Sequence, residues 1–214
     1  MKKPEDDDIL PRRRTSLMGP AAQAKALAEA TAKLTARRQR DALPHRIETP
    51  RLVLRAPIRG DVPDLVKLAD NRAIYEVLAR LPHPYTRADG IAFVEIFAQR
   101  PDERPYAITL GDRFIGVVGF TYPEGGEPPE LGYWLGEPHW GQGIMSEAVK
   151  GLLHAAFATH LYPRIKSRAL SSNAGSLNVL RKAGFVVVQE GTETIGTGAG
   201  KPTTYLTLEQ PKWM

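Results

Sequence analysis

The residues whose types and spacing could do chemistry lie between positions 130 and 185. Leu131-Gly-Tyr-Trp-Leu-Gly136 continues through Glu-Pro-His-Trp140 into Gly141-Gln-Gly143, which opens a long helical stretch. Glycines at 141 and 143 let the backbone approach a ligand closely. Free N–H groups at the helix start, together with the helix dipole, suit a phosphate or pyrophosphate. The same Gly-x-Gly can also be no more than a tight strand-to-helix turn. A dinucleotide-binding turn would carry a third glycine where Ser146 stands, and a Walker loop would need Gly-Lys-Ser/Thr, which is missing.

About 30 residues further on comes Asn173-Ala-Gly-Ser176-Leu-Asn-Val-Leu-Arg-Lys-Ala-Gly184-Phe185. Asn173 can cap a helix, Ser176 falls in its first turn, Val179 and Leu180 face inward, and Gly184 supplies a left-handed stop. Ser176 could equally use its hydroxyl on the backbone of Asn173. His154 and His160 are about 600° apart around a helix and so do not form a metal pair. With no cysteine in the chain, a disulfide scaffold, a Cys-ligated zinc and a thiol nucleophile are excluded. No metal site is expected.

These residues have to be positioned by strands and helices. Arg51–Arg55 alternates as a strand, Asp61 can cap a helix with Leu65, Val66 and Leu68, and Ala73–Leu81 continues in a helical period. Thr86 precedes an amphipathic helix. Tyr106–Leu110, the turn Gly111-Asp112 and Phe114–Phe120 form a hairpin. The second half reads as strand (Glu130–Leu135), helix (Gly143–His160), strand (Arg164–Ser171), helix (Ala174–Lys182), strand (Phe185–Gln189) and a last strand (Thr203–Leu208). Strands alternating with helices after an antiparallel meander predict a mixed α/β sheet with helices on its faces. Within the strand at 130–135, Tyr133 points to the face opposite Glu130 and Trp134.

Charge divides the chain. The net charge is +5, and residues 1–46 hold 11 Lys and Arg against 6 Asp and Glu, while residues 47–214 hold 18 of each sign. Residues 1–46 read as a basic N-terminal extension, disordered or partly helical, and 47–214 as the folded domain. An Ala-rich run at 21–40 has helix propensity but a thin apolar stripe. No apolar run approaches a membrane span and no signal peptide is visible, so a cytoplasmic protein is expected.

Taken together, Trp140-Gly-Gln-Gly-Ile-Met-Ser-Glu-Ala148 and Asn173-x-x-Ser176-x-x-Val179-x-x-Lys182-x-Gly184-Phe185 resemble the GNAT superfamily of acyl-CoA-dependent N-acyltransferases. Glu48-Thr-Pro-Arg-Leu-Val-Leu-Arg55 and the closing Tyr205–Trp213 resemble the branch of the ribosomal-protein N-terminal alanine acetyltransferases and their relatives. The resemblance covers residues 47–213. It implies a GNAT fold, with a mixed, mostly antiparallel sheet of about seven strands and helices on both faces. It also implies acetyl-CoA as co-substrate. The pyrophosphate is expected on Trp140, Gly141, Gln142, Gly143, Ile144 and Met145, with Met145 standing where the family has a small residue. The pantetheine arm is expected along Tyr133, Trp134 and Leu135, with amides near Trp134–Gly136 facing it and Asn173 holding the arm or capping its helix.

Attack of a neutral amine on a thioester needs a base for the departing proton and an acid for the thiolate. Glu130, acting through water, is the expected base, or else an exposed carboxylate at a loop end. Ser176 is the expected acid, with Tyr205 in reserve. The implied reaction moves an acetyl group from acetyl-CoA to a primary amine, on a protein N-terminus or a small molecule, by direct attack in a ternary complex. Two alternatives are a basic-arm nucleic-acid- or ribosome-binding protein and a degenerate member that binds acyl-CoA without turnover. The partners expected are acetyl-CoA, an amine acceptor and a docking partner for the basic arm, but no membrane. The chain is expected as a monomer or homodimer.

Overall fold

The described residues of the computed structural model, 19–78 and 81–211, form one eight-stranded sheet. The strands are β1 (Arg46–Glu48), β2 (Leu52–Arg55), β3 (Glu103–Leu110), β4 (Arg113–Thr121), β5 (Glu130–Leu135), β6 (Arg164–Leu170), β7 (Val186–Thr192) and β8 (Pro202–Glu209). Their order is β1-β2-β3-β4-β5-β6-β8-β7. Every neighbouring pair is antiparallel except β5 and β6, which run parallel because a helix crosses over between them. The hairpin of β3 and β4 turns at Gly111-Asp112, with Gly111 at φ 59° as a Gly-first turn requires. The strand beyond the expected seven is β1. Its three residues are too few to show a period, and it exists because Thr49 turns the chain back onto β2, its amide donating to Leu52 O at 3.0 Å.

Six α-helices accompany the sheet among the described residues: α1 (Pro20–Ala42), α2 (Val62–Ala69), α3 (Arg72–Tyr75), α4 (Arg87–Glu95), α5 (Ile144–Ala158) and α6 (Ala174–Lys182). On one face α5 and α6 bury Leu152, Leu153, Leu177 and Leu180 against Val118, Phe120, Leu131 and Ile165. On the other, α2 and its neighbours bury Leu65 and Ala69 with Ala107, Phe114 and Val117, and Trp134 and Phe93 pack at the margin. At roughly 25 cal/mol per Å2 of apolar area removed from water, these two layers are the main source of stability. Among the described residues, no helix is long and apolar enough to cross a membrane.

Two local expectations change. Asp61 precedes α2 but makes no side-chain cap. Its buried carboxylate instead takes a two-pronged pair from Arg55 at 2.7 and 2.8 Å and accepts the Ile58 amide at 2.9 Å. A guanidinium fork outcompetes a single helix amide for those oxygens. The helical period over 73–81 shrinks to the short α3, capped by Asn71, because the following bonds tighten to Val77 N to Ile74 O and Leu78 N to Tyr75 O.

Helix α1 is anchored at one end. Leu27 and Leu34 are 70% and 68% exposed, so its early turns contribute little burial. Its last turns join the core: Leu43 is buried, Gln39 Nε2 donates to Leu161 O at 2.7 Å, and the Tyr162 hydroxyl donates to Gln39 O at 2.8 Å. Residues 1–18, including Arg12–Arg14, and Trp213 near the end lie outside the described residues.

Candidate active site

The site begins where the sheet opens. Strands β5 and β6 have one paired position, Glu130 with Lys166, after which β6 continues its ladder with β8. Gly136 N donates to Ile115 O, so by strand alternation the main-chain groups of Glu130, Gly132, Trp134 and Gly136 turn toward β4. Those of Leu131, Tyr133 and Leu135 turn toward the gap. Ser167 Oγ donates to Leu131 O at 2.9 Å and closes the narrow end, while the Trp140 indole donates to Leu135 O at 2.7 Å. The amides facing the gap are therefore those of Tyr133 and Leu135. Of the expected stretch Trp134–Gly136, the Leu135 amide faces the gap, while those of Trp134 and Gly136 serve the β4 ladder, because a strand's hydrogen-bonding direction alternates with each residue.

The glycine turn lies at the open end. Gly141 and Gly143 are both at φ 73°, and a Cβ at Gly141 would meet nothing within 4 Å. Gly143 is the N-cap of α5, and the first helical amides, at Ile144, Met145 and Ser146, have no carbonyl four residues earlier in the helix to bond. The Ile144 and Met145 side chains are buried in the core, so what these two residues offer a ligand is main-chain N–H. The bulk of Met145 is accommodated in that core. Trp140 and Gln142 use their side chains locally, Gln142 Nε2 donating to Pro138 O at 2.9 Å. The turn is braced by the residue just before β2: Arg51 Nη1 donates to Gln142 O at 3.0 Å and Arg51 Nε to Glu147 Oε2 at 2.6 Å. Burial pushes the Glu147 carboxyl up. The Thr49 hydroxyl, the Arg51 amide and the Arg51 guanidinium outweigh it and hold the group below its usual value.

On the α5 and α6 face, Asn173 Oδ1 accepts the Ser176 amide at 3.0 Å and caps α6. The Ser176 hydroxyl is 2.9 Å from the Tyr133 hydroxyl, which also reaches Ser176 O at 3.1 Å. Burial raises Tyr133 to about 12, against the opposing effect of the Ser176 hydrogen bond, so it is a neutral phenol at pH 7. Tyr205 turns away to Thr192 O at 3.3 Å.

On the opposite face Glu130 is bound into a charged cluster. Arg168 Nε is 3.2 Å from Glu130 Oε1, and Arg168 Nη1 is 3.3 Å from Glu193 Oε1. Arg168 and Glu193 are functional candidates that sequence reasoning missed. Arg168 left no distinct signal, being the third basic residue after Arg164 and Lys166 on the alternating polar positions of β6, and Glu193, in a Gly-rich loop, left none. Both faces, the gap and the glycine turn open into one continuous cleft of about 1110 Å3, whose lining includes Glu130, Tyr133, Gly141, Asn173 and Ser176.

A split sheet with a glycine-opened helix at its mouth defines a class of α/β domain suited to a long ligand that is anionic at one end. The Acetyltransferase (GNAT) domain model matches residues 51–186. The chain belongs to the GNAT acetyltransferase family. Among curated proteins it is 33% identical over 90 residues to the ribosomal-protein-serine acetyltransferase of Escherichia coli K12, covering 42% of this chain and 50% of that protein. It is 41% identical over 76 residues to the probable N-acetyltransferase YjcK of Bacillus subtilis 168, covering 35% and 42%. The chain thus spans half or less of the length of the curated relatives it matches. The same fold is seen in the ribosomal L7/L12 alpha-N-protein acetyltransferase RimL in complex with coenzyme A (TM-score 0.67, 24% identity, 77% of this chain and 97% of that one). It is also seen in the microcin C7 self-immunity acetyltransferase MccE in complex with acetyl-CoA and AMP (0.68, 19%, 75% and 93%).

Proposed function

We propose that this protein transfers an acetyl group from acetyl-CoA to a primary amine by direct attack within a ternary complex. The observation that carries the reading is the cleft itself, which joins an unpaired strand edge, a turn of left-handed glycines and a carboxylate cluster. The residues fit the co-substrate. The amides of Gly143, Ile144, Met145 and Ser146 would hold the pyrophosphate, and the Tyr133 and Leu135 amides, with the Tyr133 carbonyl, would pair with the pantetheine arm. Asn173 fits as the cap that orients α6. When bound, acetyl-CoA supplies an acyl group activated as a thioester.

The chain's own groups then divide the proton work. Glu130 lies on the acceptor face at the narrow end of the gap and receives the amine's proton through water. Ser176, backed by Tyr133, lies on the other face and supplies a proton on the thiol side. Holding both reactants across one gap supplies much of the rate by removing the entropy of encounter. The family names of the relatives point to ribosomal-protein N-termini as acceptors, and this is one acceptor class to test.

The test is acetyl-CoA binding by thermal shift and calorimetry, followed by thiol release with amine acceptors. At 100 times Kd, ligand linkage stabilises by about 2.7 kcal/mol. Absence of any shift at millimolar acetyl-CoA overturns the reading.

A further inference from the structure

The acceptor face has a pattern written by strand register. Residues directly opposite across an antiparallel ladder share a face. Three rows result on the α2 and α4 side: Glu103, Thr121 and Glu130; then Pro105, Gly119 and Gly132; then Ala107, Val117 and Trp134. The first row is polar, with the Thr121 hydroxyl donating to Glu103 Oε2 at 2.9 Å, and it extends through Glu130 to Arg168 and Glu193. The third is apolar and ends on an indole. The middle row is open at its β5 end, where a Cβ at Gly132 would meet nothing within 4 Å, whereas β3 backbone closes over Gly119.

Size and charge follow from this. Glu130 and Trp134 are four residues apart on one strand, so their Cα atoms are ~13 Å apart. A hydrogen-bonded ammonium takes up about 3 Å of that span and a ring contact about 4 Å, leaving roughly 6 Å between nitrogen and ring centre. Lys166, opposite Glu130 in the register, is paired with Glu127, so the cluster of Glu130, Arg168 and Glu193 keeps two carboxylates and one guanidinium, a net −1, and a cation balances it. A carboxylate on the amine-bearing carbon would be brought against Glu130 and Glu193, which already hold Arg168 through Nε and Nη1. The cleft wall on this side is aromatic: Trp134, Phe93 and Phe97 line it, Phe93 and Phe97 stack at 5.7 Å, and buried Phe114 backs the indole at 5.9 Å.

We infer that the acceptor is a primary amine with an aromatic or large aliphatic group three to four bonds from the nitrogen and no carboxylate on the carbon that bears it. This rests on the acetyltransferase reading and narrows it. The chemistry is shared by arylalkylamines and by peptide N-termini that begin with an aromatic or leucine residue. The ammonium binds the carboxylate cluster and loses a proton to water at Glu130. Its nitrogen bonds to the acyl carbon as the carbon–sulfur bond breaks, and the sulfur keeps that electron pair and takes a proton. The balance is ammonium plus acyl thioester giving amide, thiol and one proton.

The full chain is assayed for acetyl-CoA Kd by calorimetry and for thiol release with six acceptors: phenethylamine, phenylalanine amide, phenylalanyl-glycyl-glycine, free phenylalanine, seryl-glycyl-glycine and spermidine. The expected result is a kcat/KM at least tenfold higher for one or more of the first three than for the last three. The amine and peptide arms distinguish the two sources. Phe93→Ala is expected to raise KM for the aryl acceptor at least tenfold with acetyl-CoA Kd within twofold of the parent. Acetyl-CoA binding combined with a preference for the serine-led peptide or spermidine, with equal use of phenylalanine and its amide, or with no turnover of any acceptor, overturns this inference alone. Loss of acetyl-CoA binding overturns the underlying reading and this one with it.

Discussion

Replacing Gly141 by alanine separates conformation from ligand contact. Gly141 is at φ 73°, and its missing Cβ faces open space, so the variant meets no steric clash in the free protein. The left-handed backbone still disfavours an L-residue by about 1–2 kcal/mol. For a chain of this size, each kcal/mol lowers Tm by about 2–4 °C, giving a fall of roughly 2–8 °C. If phosphate oxygens approach this backbone, the added methyl occupies their space. Acetyl-CoA affinity should then drop at least tenfold, equivalent to about 1.4 kcal/mol or more. Calorimetry gives Kd and differential scanning gives Tm on the same sample. Gly125→Ala is the control, since its Cβ also meets nothing within 4 Å but its φ is not in the left-handed range. It should leave both quantities unchanged. A Gly141→Ala protein with lowered Tm but Kd within twofold of the parent refutes the phosphate role of the turn. An unchanged Tm refutes the backbone argument.

Four further outcomes are expected. Asp61→Ala strands the Arg55 guanidinium in a buried site and should cost about 3–5 kcal/mol, read from urea unfolding. Glu147 sits below its usual value in the fold, so the unfolded chain binds the proton more readily. Its stabilising contribution is therefore full above the ordinary 4.5 and is lost as pH falls through the lower folded value; Glu147→Gln should flatten that acid limb in Tm scans. Ser176→Ala should lower kcat by roughly 10²-fold or more with little change in acetyl-CoA Kd, and an unaltered kcat would dismiss Ser176 as the acid. Truncation before Gly19 should leave turnover with small acceptors intact. A deletion through Leu43 should unfold the protein, seen by circular dichroism, because Leu43 is 2% exposed and Gln39 O accepts from Tyr162.

The parts legible in the sequence are those whose cause is local. The Gly111-Asp112 hairpin, the Asn173 cap on α6 and the glycine turn before α5 each depend on a backbone conformation that a few adjacent residues favour. The opposite faces of Tyr133 and Trp134 follow from strand alternation alone. The three-residue β1 was illegible because so short a strand carries no period and exists through its partner. Asp61 was misjudged as a cap because Arg55, six residues earlier, reaches its carboxylate after the chain bends. Which amides of the stretch Tyr133–Gly136 face the gap was not legible, because parity on β5 is set by its register with β4.

Apart from the GNAT resemblance carried by its motifs, the sequence by itself determined a mixed α/β domain, a glycine turn at a helix start and a charge surplus confined to residues 1–46. These follow from propensity, periodicity and composition, which act over a few residues at a time. Only the tertiary structure decided that Arg168 and Glu193 join Glu130 and that the Ser176 hydroxyl meets Tyr133. It also decided that Gly132 leaves an open position between a charged row and an apolar one that ends on Trp134. Those relations come from strand register and from the divergence of β6 from β5. Register is a cooperative property of the whole sheet, to which no single segment of the chain commits in advance.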